Sequence, residues 1–167
     1  MKNLLILVLG SFLLFSCSSN NEKKDSEINV VDDKDLQEII SQRNGKILFL
    51  NIWATWCIPC VEEFPTIVKL NKEFKNNDFE VIALSVDLPS ERESKIIPFL
   101  KKQGAEFRVI VAEEKSSDEI INMLDPDWSG AVPVTFIYDK TGKQVKKLFG
   151  AQSYEQMASA ADSVLSL

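Results

Sequence analysis

The chain has 167 residues, 45% of them apolar and 26% charged, with a formal net charge of −6. That length allows one domain with a sizeable core plus appendages, and the acidic balance gives no basis for binding nucleic acid or an anionic surface. There is no histidine, which excludes His-based triads, His general bases and His metal ligands together.

The first sixteen residues read as a targeting segment. Lys2 gives a basic start, residues 4–9 and 12–15 are apolar around Gly10 and Ser11, and small Ser16 precedes Cys17. The string Leu14-Phe15-Ser16-Cys17 resembles a bacterial lipoprotein signal. That resemblance implies that Cys17 is lipidated, becomes the first mature residue and ties the protein to a lipid bilayer. The rival reading is an uncleaved membrane span, for which the apolar stretch is short and interrupted. Either reading puts the protein outside the cytoplasm, facing the periplasm where the cell has two membranes. Residues 18–27 are polar with no apolar period and read as a flexible tether. The expected organisation is therefore signal 1–16, lipidated Cys17 and tether 17–27, and a folded domain 28–167.

Residues 28–31 form a short candidate strand. A helix follows with Asp33 near its cap, Leu36, Ile39 and Ile40 on its inner face, and Gly45 just past its end. The run 46–53 is apolar and reads as a buried strand. It leads to Trp56-Cys57-Ile58-Pro59-Cys60, and then to Phe64, Ile67, Val68 and Phe74 at helical steps. A strand that delivers Cys57 to a helix N-terminus is the setting in which a thiol becomes a reactive thiolate, because unpaired N–H groups and the helix dipole favour the anion. Residues 79–86 are another strand. Ser90 with Glu93 suggests a capping box for a helix running toward Gly104, which Pro98 kinks or delays. Residues 107–111 are a strand, and Ser116 with Glu119 suggests a second capping box for a helix ending before Asp125-Pro126. Residues 134–138 and 144–149 flank the turn Asp139-Lys140-Thr141-Gly142 as a hairpin. Ser153 with Gln156 opens a last helix bearing Met157, Ala160, Ala161 and Val164 on one side.

Lipidation of Cys17 would leave Cys57 and Cys60 as the sole thiol pair of the mature chain. A purely structural bridge is the plain alternative, but it would close too short a loop to constrain much of the unfolded chain. A zinc site would need further cysteine, histidine or carboxylate ligands, and with Cys17 lipidated no further cysteine and no histidine exists, so no metal is expected. Cys57 is the expected nucleophile, and Cys60 resolves the mixed disulfide from the next turn. Pro59 suits a first helical turn, where its missing N–H is no loss. Apolar Ile58 adds no donor to the Cys57 thiolate, which favours a reductant or mild exchanger over a strong oxidant.

Strands alternating with helices, then a hairpin and a helix, indicate a three-layer α/β domain with a mixed sheet. The stretch Asn51-Ile52-Trp53-Ala54-Thr55-Trp56-Cys57-Ile58-Pro59-Cys60, with Glu63-Phe64-Pro65 and Gly130-Ala131-Val132-Pro133-Val134-Thr135-Phe136, resembles the TlpA/ResA/DsbE-like branch of the thioredoxin superfamily. The resemblance implies a thioredoxin fold with an N-terminal extension and a βα insertion after the active-site helix. It implies a cis peptide at Val132-Pro133 opposite the cysteines, where the Val132 backbone pairs with an extended substrate segment. The plain alternative for Pro133 is an edge-strand proline. Trp56, Ile58, Pro59, Val132 and Pro133 are the expected substrate-facing set. Glu63 matches an acidic position of the branch, where a carboxylate takes the Cys60 proton or raises the thiol pKa; its plain alternative is a surface glutamate. Asn51 replaces the buried aspartate of cytosolic thioredoxins, so proton handling differs here. Trp53 reads as core, and Trp128 either lines the site or simply packs.

The resemblance implies protein disulfide substrates, an upstream membrane or periplasmic electron donor, and no cofactor; apocytochrome c cysteines are among the possible clients. A thiol peroxidase is the enzymatic alternative, but its Pro-X-X-X-Thr-X-X-Cys pattern meets Leu50 and Ala54 before Cys57. A redox-sensing or copper-delivering binding module is a non-enzymatic one, and such copper carriers add a distant histidine. An interaction module with a vestigial disulfide is the third.

Overall fold

A computed structural model describes residues 28–166. The signal, Cys17 and tether expectations lie outside the described residues. The elements run β1 (Asn29–Val31), α1 (Asp33–Ser41), β2 (Ile47–Trp53), α2 (Ile58–Phe74), β3 (Phe79–Ser85), α3 (Ile97–Gln103), β4 (Arg108–Ala112), α4 (Ser117–Leu124), β5 (Val134–Tyr138), β6 (Gln144–Phe149) and α5 (Tyr154–Leu165). One sheet has the order β1-β4-β3-β2-β5-β6. The pairs β1–β4, β4–β3 and β3–β2 are parallel, while β5 runs antiparallel to both β2 and β6. This is the mixed α/β architecture of the thioredoxin fold, and β4 is the strand wedged between β1 and β3.

β2 is central and buried on both faces, so it reads as a continuous apolar run rather than an alternating one. Its side chains still separate with period two. Leu48, Leu50 and Ile52 pack with Leu36 of α1 and Ile120 and Leu124 of α4. Ile47 and Phe49 face the other way, against Ile67 and Leu70 of α2 and Met157, Ala160 and Ala161 of α5. Trp53 closes that second face at the cysteine end, where its ring centroid lies 4.6 Å from Phe64 and 5.0 Å from Phe99.

Two local expectations need correction, the capping boxes at Ser90 and Ser116. Asp33 does lie next to the cap of α1, which is Asp32: its carboxylate accepts the Asp35 N–H at 2.8 Å, and the Asp35 carboxylate accepts the Asp32 N–H in return. No capping box forms at Ser90 and Glu93. Ser90 sits inside a 3₁₀ turn (Pro89–Glu91), which runs into a π turn (Arg92–Ile96) before α3 begins. Pro98 explains the late start. It has no N–H for the helical ladder, so it occupies the first turn of α3, and the Ile97 N–H reaches back five residues to the Arg92 carbonyl. No capping box forms at Ser116 and Glu119 either. Ser116 ends a 3₁₀ turn (Glu114–Ser116) with ψ of 13°, not the extended backbone a cap needs, and its hydroxyl donates to Glu113 at 3.1 Å. The Ser153–Gln156 box does form at α5, and the hairpin strands fall at the expected residues.

Candidate active site

Cys57 is the N-cap of α2, at the point where β2 ends and the chain turns. The Cys57 N–H closes that turn on the Ala54 carbonyl at 3.2 Å, and the Cys60 N–H donates to Cys57 Sγ at 3.3 Å. Sulfur therefore sits on the positive end of a 17-residue helix with a backbone donor aimed at it. Pro59 falls in the first turn of α2, so its missing N–H removes no helical bond. Cys57 and Cys60 are joined as a disulfide. By chain entropy a crosslink over so short a loop contributes roughly 2 kcal/mol, no more than one buried leucine. The fold is held by its core, and the bridge is free to open.

Both sulfurs are buried, to different degrees. Cys60 has no exposure and packs with Trp53, Phe64 and Ile96. Cys57 belongs to the same cluster and is 5% exposed, flanked by Trp56 and Ile58, which are 62% and 71% exposed. The Val132–Pro133 peptide is cis, as the family resemblance implies. Val132 presents its carbonyl 3.6 Å from Cys57 Sγ. Five of the sequence-predicted residues, Trp56, Cys57, Ile58, Val132 and Pro133, thus meet at one end of the sheet.

The loop before Pro133 is fixed from below. Trp128 is buried, donates its indole N–H to the Ala131 carbonyl at 2.9 Å and stands edge-on to Phe136. Of its two sequence readings, packing is the one its surroundings fit. Gly130 has φ of +80°, so a side chain there meets backbone strain, while the Ile121 Cδ1 that an added Cβ would approach at 2.9 Å can shift aside. On the far side, the Gly150 N–H donates to the Pro133 carbonyl at 3.0 Å.

Glu63 is not a surface glutamate. It is 5% exposed, one helical turn past Cys60 on the inner face of α2. Its Oε1 accepts from Asn51 Nδ2 at 3.2 Å and its Oε2 from the Gln152 N–H at 2.9 Å. Burial raises its pKa above the ordinary carboxylate value, and the bonds from Gln152 and Asn51 pull against that rise. Asn51 also donates to Thr135 Oγ1 at 3.0 Å, while its own Oδ1 is buried without a partner. Thr135 and Gln152 join the site from β5 and from the turn before α5. Sequence reasoning did not anticipate either, since they lie 84 residues from Asn51 and 89 from Glu63.

A second polar group was also missed. Asp87, just after β3, accepts the Thr55 N–H at 2.9 Å and the Thr55 hydroxyl at 2.5 Å. It also accepts the Ser85 hydroxyl at 2.6 Å. The available sequence signal was an Asp two residues after a Ser at the close of an apolar strand. Among the described residues no cluster of His, Cys, Asp or Glu could hold a metal ion, and no helix is long and apolar enough to cross a membrane.

Comparison with known proteins gives the family and the fold. The AhpC/TSA family matches residues 21–147. A thiol-disulfide oxidoreductase ResA of Bacillus cereus is 33% identical over 135 residues, covering 80% of this chain and 73% of the relative. ResA of Bacillus subtilis (strain 168) is 32% identical over 136 residues, covering 81% and 71%. Among solved structures, a thioredoxin-family thiol:disulfide interchange protein from Chlorobium tepidum TLS superposes with a TM-score of 0.63 at 23% identity, over 77% of this chain and 84% of that one. StoA from Bacillus subtilis superposes at 0.56 and 19% identity, over 70% and 83%. The structural likenesses establish the fold.

Proposed function

The chain belongs to the AhpC/TSA family and is a ResA-like thiol–disulfide oxidoreductase of thioredoxin fold, and on that footing we propose that it reduces protein disulfides outside the cytoplasm. The observation that carries this reading is Cys57 Sγ at the N-terminus of α2, accepting the Cys60 N–H and facing the Val132 carbonyl beside cis-Pro133. Cys57, as thiolate, attacks one sulfur of a substrate disulfide; the other substrate sulfur leaves as a thiolate and takes a proton. Glu63 takes the proton of Cys60, whose thiolate then attacks Cys57 Sγ and expels the second substrate thiolate. Two electrons pass to the substrate, and the Cys57–Cys60 disulfide returns to the dithiol through an upstream donor in the envelope. Trp56, Ile58, Pro59, Val132 and Pro133 form the surface on which an extended substrate segment lies. The exposed apolar Ile58 supports a reductant over a strong oxidant, because it gives the thiolate no further donor.

Cys17, lipidated, anchors the domain through residues 18–27, and a client such as apocytochrome c would be reached in the membrane's vicinity. The peroxidase reading has no support at the site. Leu50 and Ala54 are buried apolar residues at the positions where that chemistry needs a proline and a threonine before Cys57.

Two measurements test the proposal. The full chain is equilibrated in glutathione or dithiothreitol redox buffers, quenched by alkylation and mapped at Cys57 and Cys60. A potential near the strongly oxidising value of about −120 mV would overturn the assignment of direction. A Cys60→Ser variant in the native envelope should accumulate mixed disulfides through Cys57; recovery of none would count against protein substrates.

A further inference from the structure

Thr55 and Trp56 are the two central residues of the turn that presents Cys57, and the hydrogen bond closing it is Cys57 N–H to Ala54 carbonyl, 3.2 Å. That single bond leaves the Thr55 N–H without a partner inside the turn, and Trp56 projects into solvent. The missing partner comes from another strand. Asp87, 2% exposed, takes the Thr55 N–H on Oδ2 and the Thr55 hydroxyl on Oδ1. Oδ2 also accepts the hydroxyl of Ser85, a residue with no exposure, and the Asp87 N–H donates back to Ser85 Oγ at 3.1 Å. One residue earlier, the Val86 N–H donates to the Trp53 carbonyl at 2.9 Å. A rigid bracket thus runs from the end of β3 to the residue two before the nucleophile.

We propose that Asp87 is a positioning residue for the exchange reaction: by holding both donors of Thr55 it keeps Cys57 over the N-terminus of α2 when the disulfide is open. The physical argument is a difference between redox states. In the oxidised protein Cys57 is tied covalently to buried Cys60, and the turn has little freedom whether or not Asp87 is present. Reduction removes that tie. The dithiol then relies on the bracket to keep Cys57 Sγ within reach of the Cys60 N–H, where its thiolate is stabilised and aimed. Loss of Asp87 therefore costs the reduced form more than the oxidised form. The disulfide becomes harder to reduce, and the Cys57 thiol less acidic.

Asp87 is otherwise placed as a structural cap on β3, and a purely structural carboxylate would weaken both redox forms alike. By linkage, an equal loss in the two forms leaves their interconversion unchanged, so the redox equilibrium separates the two roles.

The test uses the full chain with Asp87→Asn, which keeps the size of the side chain but presents an amide N–H to one of its present donors. Two thiols of dithiothreitol supply two electrons and two protons to the Cys57–Cys60 disulfide, giving the dithiol and cyclic oxidised dithiothreitol. The equilibrium constant for that step is read by alkylation and peptide mapping. Urea unfolding is followed separately on the oxidised and the reduced protein. The expected result is a shift toward disulfide of about fivefold or more, the worth of one hydrogen bond. The reduced form should lose more stability than the oxidised form by the same factor, and the pH at which Cys57 alkylates at half its maximal rate should rise. An unchanged equilibrium with equal losses in both forms overturns the proposal. Should Asp87→Asn not fold, Thr55→Val decides on the same terms, since it removes the hydroxyl bond and leaves the backbone bond; a smaller shift in the same direction is expected, and none refutes. Wild-type protein that fails to exchange with dithiothreitol would instead strike down the exchange reading, and this inference with it.

Discussion

Replacing Asn51 with aspartate puts a second carboxylate where an amide now donates to Glu63 at 3.2 Å. Two unit charges that close, at an effective dielectric near 20, repel by about 5 kcal/mol. The pair can escape the repulsion by taking up one proton. From an ordinary carboxylate pKa near 4, holding that proton near pH 7.5 costs about 1.4 kcal/mol per pH unit, again about 5 kcal/mol in all. Both routes arrive at the same penalty, which water entry and small shifts of the two side chains will reduce. The expected loss for Asn51→Asp is therefore about 3–5 kcal/mol near pH 7.5, a large share of a typical domain's stability. Near pH 4.5 one shared proton is nearly free, and the protonated carboxyl can donate in place of the lost amide. The loss there should be about 1 kcal/mol, the scale of the Thr135 bond. Urea unfolding of the oxidised protein at the two pH values reads the difference directly. Equal losses at both, or a variant as stable as wild type near neutrality, would refute the idea that Asn51 serves as donor to a buried carboxylate.

Glu63→Gln should move stability the other way. Burial raises the pKa of Glu63, so its folding contribution is full below the unfolded value and is lost as pH rises through the folded one. Above that range the carboxylate is a cost that glutamine does not carry. The variant should gain on wild type as pH climbs from the ordinary carboxylate range, and a pH-independent difference in urea midpoint would contradict the sign. The proposed role as acceptor of the Cys60 proton makes a kinetic prediction too: resolution of a mixed disulfide should slow by roughly 10²-fold in the glutamine variant, measured by stopped-flow with a model disulfide, and an unchanged rate would remove that role. Trp128→Phe removes the indole bond to the Ala131 carbonyl while keeping a ring against Phe136. A loss of about 1 kcal/mol in urea is expected, and no loss would mean the bond does not prop the Pro133 loop.

What could be read in advance followed from periodicity and from motifs whose parts lie close in sequence. The strands, the hairpin and the capping box at Ser153 all depend on neighbours, and they fell where expected. The boxes at Ser90 and Ser116 have the same spelling as the one at Ser153. They failed because each serine is itself part of a 3₁₀ turn that sets its backbone, which no short pattern records. At the site, Cys57 and Cys60 were legible from their motif, and Pro133 only through the family resemblance. Asn51 could have been placed by alternation, since Phe49 and Trp53 share its side of β2 and pack on α2. Its partner Thr135 and the Gln152 bond to Glu63 could not, because both contacts exist only once β5 and α5 have docked. The Asp87–Thr55 bracket spans 32 residues and two strands for the same reason.

These late-forming contacts share one property. Asp87 reaches the cysteine turn from β3, the Asn51–Glu63 pair links β2 to α2 and continues to Thr135 of β5, and the Val132 carbonyl approaches Cys57 from the loop before β5. None of them passes through the Cys57–Cys60 bond. A redox protein must keep its nucleophile in place in the state where its own crosslink is absent, and a disulfide that closes so short a loop contributes little to the remaining fold. The neighbours of α2 therefore have to hold its N-terminus by non-covalent ties that survive reduction. Placing the cysteines at the shared end of β2, β3 and β5 makes those ties available from three strands at once. Apart from Glu63, the buried polar residues there hold the site rather than react, and their perturbation should register in the redox equilibrium and in the pH dependence as well as in stability.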